Sequence, residues 1–299
     1  MSAPIVAFFS VRGGVGTTSL VYHLAWMFAD LGVKVMAVDM DPQSSLTTAF
    51  IGSAVPDSEV HVVNDNLCLL PSVLEIASFE EEFAIHWQRA MDGDEESFRV
   101  VSRPWQLTGT LTETYKVQLV LLDIGPNLTA INRAGLVAAD HIVIPLAPNL
   151  LAVPTLATLA SALHKWRQDW RERLARAPSN MEVPAGRMAT LGYVIQQRGS
   201  AWAQKNWLNW IAENYRKFIL DAPPASGVPT DDPNKLAILR PHPSLLEMAR
   251  EARKPMFHLE PADGALGAYL QSAEDARKDF EALAKAIVAK AKLPITFDR

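Results

Sequence analysis

Apolar residues run through positions 4–10 (PIVAFFS) and then give way to a glycine-rich stretch at 11–16. From 18 to 31 they return at helical spacing, as Leu20, Val21, Leu24, Met27, Phe28 and Leu31, with Gly32 placed to end the helix. Residues 33–39 (VKVMAVD) are apolar again over the length of a strand. Strand, tight turn, helix and strand in that order predict a βαβ unit, and with it parallel pairing and a right-handed crossover.

Further strands are predicted at 67–70, 117–123, 141–145 and 190–196, with helical patterns between them, notably at 153–175 and 202–220. The segment 57–115 is long for one connection and reads as an acidic insert, its runs at 79–82 and 92–96 marking exposed helix ends and loops. Residues 221–234 (DAPPASGVPTDDPN) predict a surface loop, and 266–292 an amphipathic, alanine-rich helix. There is no internal repeat. The alternation predicts one α/β domain over residues 1–299: a single doubly wound, largely parallel sheet flanked by helices.

Composition narrows the function classes. The single cysteine, Cys68, excludes an internal disulfide framework and a Cys-rich zinc site, and its setting in LCLL predicts a buried, inert thiol. The seven histidines include no i, i+4 pair and no HExxH, and no G-x-S-x-G occurs. No apolar run approaches the roughly 18–20 residues of a membrane span. The first residues lack a basic region ahead of the apolar stretch and read as a buried strand, not a signal peptide, so a cytoplasmic location is expected. The net charge of −5 is uneven: residues 1–150 carry 7 basic and 17 acidic side chains, residues 151–260 carry 15 and 10. That basic bias is either a set of solvated helix faces or a surface for nucleic acid.

Chemistry concentrates in Val11-Arg12-Gly13-Gly14-Val15-Gly16-Thr17-Thr18-Ser19, between a predicted strand and a predicted helix. Glycines let the backbone curl so that its N–H groups converge on an anion, and the following helix adds its positive end. A hydroxyl in the first helical turn, Thr18, is placed to ligate Mg²⁺. Asp39 and Asp41 (VDMDPQ) end the second strand, and Asp123 (LVLLDIGPN) ends another. The carboxyl ends of neighbouring parallel strands meet beside such a loop, where one carboxylate can hold Mg²⁺ through water and another can orient an attacking water.

RGGVGTTSL, DMDPQ and LLDIGPNLTAINRAGLVAADHIVIPLAPN together resemble the ParA/MinD (Soj-like) P-loop ATPases with a deviant Walker A motif, over most of residues 5–289. The resemblance implies ATP and Mg²⁺ as cofactors and an ATP sandwiched between two subunits. It implies backbone contacts to phosphate from Gly13, Gly14, Val15, Gly16 and Thr17, and a contact to the α-phosphate from Ser19. Thr18 and Asp123 would hold the metal, Asp41 would position water, and Asp39 would support the metal or the switch region. Gly125 and Pro126 would form the loop that senses the γ-phosphate. Adenine would lie near Gln196, Gln197 and Pro241, and residues 256–267 would hold a strand and loop before the final helix.

The chain departs from the family at its two lysines. The signature lysine is Arg12, and the lysine expected before Thr18 is Thr17. The spelling VRGGVGTTS is similar to the loop of MinD-like ATPases associated with cellulose synthesis. The resemblance implies a Mg·ATP-dependent homodimer that positions or segregates DNA or another cargo through a partner protein. The lysine-poor loop keeps a second reading open: a weakly or non-hydrolysing regulatory subunit that uses ATP structurally. In partition ATPases basic residues bind DNA without sequence preference. Here Lys165, Arg167, Arg171, Arg173, Arg198, Lys205, Arg216 and Lys217 interleave with Trp166, Trp170, Trp202, Trp207 and Trp210, whose spacing favours helix packing. The terminal helix mixes both charge signs and is expected to pack on the protein, not on a membrane.

Overall fold

A computed structural model describes residues 3–52, 60–72, 78–149, 151–196, 201–222 and 232–297, and the side chains of all these except 201–206. Eight strands form one sheet: β1 (Ile5–Phe8), β2 (Val35–Asp39), β3 (His61–Asn64), β4 (Leu67–Leu70), β5 (Leu119–Asp123), β6 (His141–Leu146), β7 (Ala189–Gln196) and β8 (Lys235–Leu239). Their spatial order is β3-β4-β2-β5-β1-β6-β7-β8. Every pairing is parallel except that of the edge strand β3 with β4. The predicted doubly wound parallel architecture is present, with β1 at its centre.

Side-chain alternation along the strands splits the core in two. Ile5, Ala7, Met36, Val38, Val120 and Leu122 point to one face, and Val6, Phe8, Val35, Ala37, Leu119 and Leu121 to the other. The first face is covered by α3 (Phe79–Arg89), α4 (Glu95–Tyr115), α5 (Ala130–Ala138), α6 (Ala152–Leu174) and α7 (Ala201–Phe218). The second is covered by α1 (Thr17–Asp30), α2 (Ser45–Ile51), α8 (Pro243–Ala252) and α9 (Ala268–Ala291). The helix α9 buries Phe280, Leu283, Ala284 and Ile287, and Phe280 stacks on the buried His23 of α1 with ring centroids 5.0 Å apart. Among the described residues no helix is long and apolar enough to cross a membrane.

Helix α1 ends as its sequence predicts: the Gly32 and Val33 N–H groups donate to the Ala29 and Phe28 carbonyls, which closes the last turn. Among its described residues the segment 57–115 holds the β3–β4 pair and the helices α3 and α4, joined through a 3₁₀ turn at Ala90–Asp92. The acidic residues Glu80, Glu81 and Glu82 occupy the first turn of α3, and Glu95 and Glu96 that of α4, where they complement the helix dipole. The strand expected at 256–267 is absent among the described residues. Two 3₁₀ turns, Met256–His258 and Pro261–Asp263, stand there instead. Pro255 and Pro261 lack the N–H a ladder requires, and a capping box between Glu260 and Asp263 satisfies the backbone locally.

Trp166 and Trp170 are buried in the helix layer as expected, while Trp210 is exposed with Trp207 edge-on beside it. Cys68 is buried and free, and burial pushes its thiol up to about 11, so it is an inert core residue.

Candidate phosphate and metal site

Parallel strands bring their carboxyl ends to one edge of the sheet, and β1 lies where the winding direction reverses. The chain leaves β1 through residues 9–16 and enters α1 at Thr17. Gly16 stands at the helix N-cap with φ +88, a conformation that strains any residue with a Cβ. It offers no side chain to cap α1, and the first turn carries no acidic residue. The N–H groups of that turn thus have no side-chain cap, the arrangement that suits an anion, and the space beside Gly14 is open. Val15 is buried and anchors the loop, while Gly13, Gly14 and Arg12 are exposed. No ion pair of Arg12 is recorded among the described residues.

Asp123 lies beside Phe8 and Asp39 in strand register. Its carboxylate takes a hydrogen bond from the Thr18 hydroxyl, yet its Oδ2 is buried with no partner. Burial, with Asp39 and Asp41 nearby, pushes this carboxyl up to about 8. A buried acid short of a partner, next to a hydroxyl and an uncapped helix end, fits a hydrated divalent cation. Among the described residues no three acidic, histidine or cysteine side chains form a complete ligand set.

The other two aspartates differ in how they are held. Asp39 Oδ2 accepts the Thr47 N–H and hydroxyl, both at 2.7 Å, and Oδ1 accepts the Asp41 N–H at 3.0 Å. Burial raises this carboxyl and those bonds work against the rise. Asp39 thus ties β2 to α2. Asp41 accepts the Gln43 N–H at 3.0 Å, and its carbonyl accepts the Ser72 hydroxyl at 3.0 Å. Its carboxylate lies against Gly125, where a Cβ would come within 3.1 Å. A Cβ on Gly13 would lie 3.6 Å from the Pro126 ring, so the loop after β5 lies between Asp41 and the phosphate loop.

Ser19 sits in the first turn of α1, and its carbonyl accepts His23 Nδ1–H at 2.7 Å. Gln196, at the end of β7, donates Nε2–H to the Gly16 carbonyl at 2.8 Å and packs over its Cα. It contacts the phosphate loop directly. Gln197 lies outside the described residues. Pro241 is exposed in the turn after β8, one strand further from β1. Asn132, Thr47, Ser72 and Glu80 also shape the site, through contacts that join residues 25 to 51 positions apart or, for Asn132, an amide that reaches back into the loop.

The AAA_31 family model, described as an AAA domain, matches residues 3–176. The chain is 26% identical over 229 residues to the chromosome-partitioning ATPase Soj of Thermus thermophilus, covering 73% of this chain and 84% of that protein. Its fold is similar to apo McdA from Cyanothece, with a TM-score of 0.66, 17% identity, and 95% and 99% of the two chains covered. It is also similar to a putative plasmid partition protein of Borrelia burgdorferi solved with AMPPNP, with a TM-score of 0.61, 19% identity, and 97% and 100% covered. With its parallel sheet, uncapped first helix and strand-end aspartates, the chain belongs to the AAA_31 family and, within it, to the ParA/MinD-like P-loop ATPases.

Proposed function

We propose that this protein is a Mg·ATP-gated dimerisation switch that positions DNA or another cargo through a partner protein. The observation that carries the reading is the pairing of an uncapped α1 N-terminus with the buried, unpartnered Asp123 oxygen beside Thr18. Backbone N–H groups of 13–17 would take the phosphates, and Thr18 and Asp123 would hold Mg²⁺, which supplies charge neutralisation at the β- and γ-phosphate oxygens. Asp41, fixed by the Gln43 N–H and set against Gly125, would orient the attacking water. A nucleotide shared by two subunits favours the dimer by its differential affinity for that state.

Light scattering on a sizing column tests this directly. The mass should move from 32.9 kDa to about twice that on adding Mg·ATP, as a two-fold sandwich requires. An unchanged mass would remove the switch. Asp41→Ala should keep nucleotide binding and lower phosphate release about 100-fold or more; unchanged release would take Asp41 out of the chemistry.

The departure at Arg12 and Thr17 favours a second reading, a regulatory subunit that binds ATP without hydrolysing it. It predicts the mass shift without phosphate release. As for DNA, the basic set is partly consumed: Arg173 is buried with its Nε–H on the Trp87 carbonyl, Arg167 donates to the Met188 carbonyl, and Lys165 pairs with Asp169. Exposed Arg171 and Lys217 remain as backbone contacts for a weak, salt-sensitive association. Arg198 and the side chain of Lys205 lie outside the described residues.

A further inference from the structure

The loop after β5 is held by a brace of side chains that lies behind the phosphate loop's own residues. Asn132, on α5, is 1% exposed. Its amide donates to two carbonyls of that loop, Gly125 at 2.8 Å and Asn127 at 2.6 Å. Two carbonyl acceptors fix which end of the amide faces the loop. The N-terminus of α5 is clamped in turn from α3: Glu80 accepts the Ala130 N–H at 2.6 Å and the Ile131 N–H at 3.0 Å. Thr129 completes the cap by accepting the Asn132 N–H at 3.3 Å.

We propose that Asn132 and Glu80 are positioning residues, which fix Gly125 against Asp41 and thereby make helix α3 sense the state of the nucleotide. The inference rests on the ATPase reading above. The groups lie in series: Glu80 holds the first turn of α5, and Asn132 holds Gly125 and Asn127. Beside these, a Cβ on Gly125 would come within 3.1 Å of the Asp41 carboxylate, and one on Gly13 would lie 3.6 Å from the Pro126 ring. A γ-phosphate that draws Gly125 or Pro126 inward must either stretch the Asn132 bonds or carry α5 with it. In the second case α5 pulls on Glu80 and moves α3. This gives the segment 57–115 a defined connection to the reaction centre, at the side where a partner protein would find α3 exposed.

Three variants test the brace in the full chain: Asn132→Ala, Glu80→Ala and Glu80→Gln, the last keeping one acceptor oxygen. Amide hydrogen exchange over 125–131 should quicken about tenfold in the two alanine variants and less in Glu80→Gln. Steady-state phosphate release should fall about tenfold in kcat, with nucleotide affinity within about threefold of the parent. A loss of affinity that parallels the loss of kcat would overturn positioning in favour of a general structural role. So would unchanged exchange, or faster exchange with unchanged kcat. If the parent protein releases no phosphate, the hydrolysis reading falls and the brace is judged with Mg·ATP bound. Faster exchange at 125–129 in Asn132→Ala would then support it, and unchanged exchange would overturn it.

Discussion

Asp123→Asn should make the nucleotide-free protein more stable, with a gain that grows from pH 5 to pH 8 and then levels off. The Asp123 carboxyl sits near 8 in the folded chain, well above its ordinary value of 3.8, because it is buried beside Asp39 and Asp41. A group whose folded value is raised contributes its full stability below the unfolded value and loses it as pH rises through the folded one. The parent protein therefore sheds about 1.4 kcal/mol per pH unit from this group between roughly pH 4 and 8. Asparagine cannot ionise and keeps the shape, so it escapes that loss. By pH 8 the difference should have grown by on the order of 5 kcal/mol, or several degrees in Tm. Mg²⁺ should raise the Tm of the parent at pH 8 and leave the variant unmoved, since the cation offsets the charge that asparagine lacks. Thermal scans from pH 5 to 9, with and without Mg²⁺, decide it: parallel curves for the two proteins would mean that Asp123 does not carry this strain. The gain comes with a loss, because Asp123→Asn should also abolish the mass shift on Mg·ATP.

Thr17→Lys should tighten ATP binding about 10- to 100-fold. An ammonium at the first helical position adds a charge-assisted contact to phosphate, commonly worth about 1.5–3 kcal/mol. Its charge would also bring Asp123 down toward the ordinary carboxylate range. Titration with a fluorescent ATP analogue measures the affinity, and the pH scan above reports the second effect. A gain below about threefold would mean that Arg12 already supplies the missing charge. Arg12→Ala would then cost the affinity that Thr17→Lys failed to add.

Much of this site is legible in the sequence. The change from apolar run to glycine turn to helical spacing located β1, the phosphate loop and α1 because each is fixed by neighbours in sequence. The strand-end positions of Asp39, Asp41 and Asp123 followed from the same logic. What sequence could not separate was the employment of the aspartates. Asp39 and Asp41 are two residues apart, yet Thr47 occupies the first and Gly125 lies against the second. Glu80 reads as one acid in a run of three, and only its reach across fifty positions to α5 distinguishes it from Glu81 and Glu82. The absent strand at 256–267 is a different kind of miss: a resemblance supplied it, while Pro255 and Pro261 in the chain itself spoke against it.

The packing of α9 on α1 sets a timetable for synthesis. Phe280, Leu283 and Ile287, which close over the same face of the sheet as His23 and its neighbours, are made some 250 residues after them. At a translation rate of about 5–20 residues per second, that face waits on the order of 10–50 seconds for its cover. A nascent chain therefore shows its apolar α1 surface to the cell throughout that interval, which makes this face the natural point of call for a chaperone.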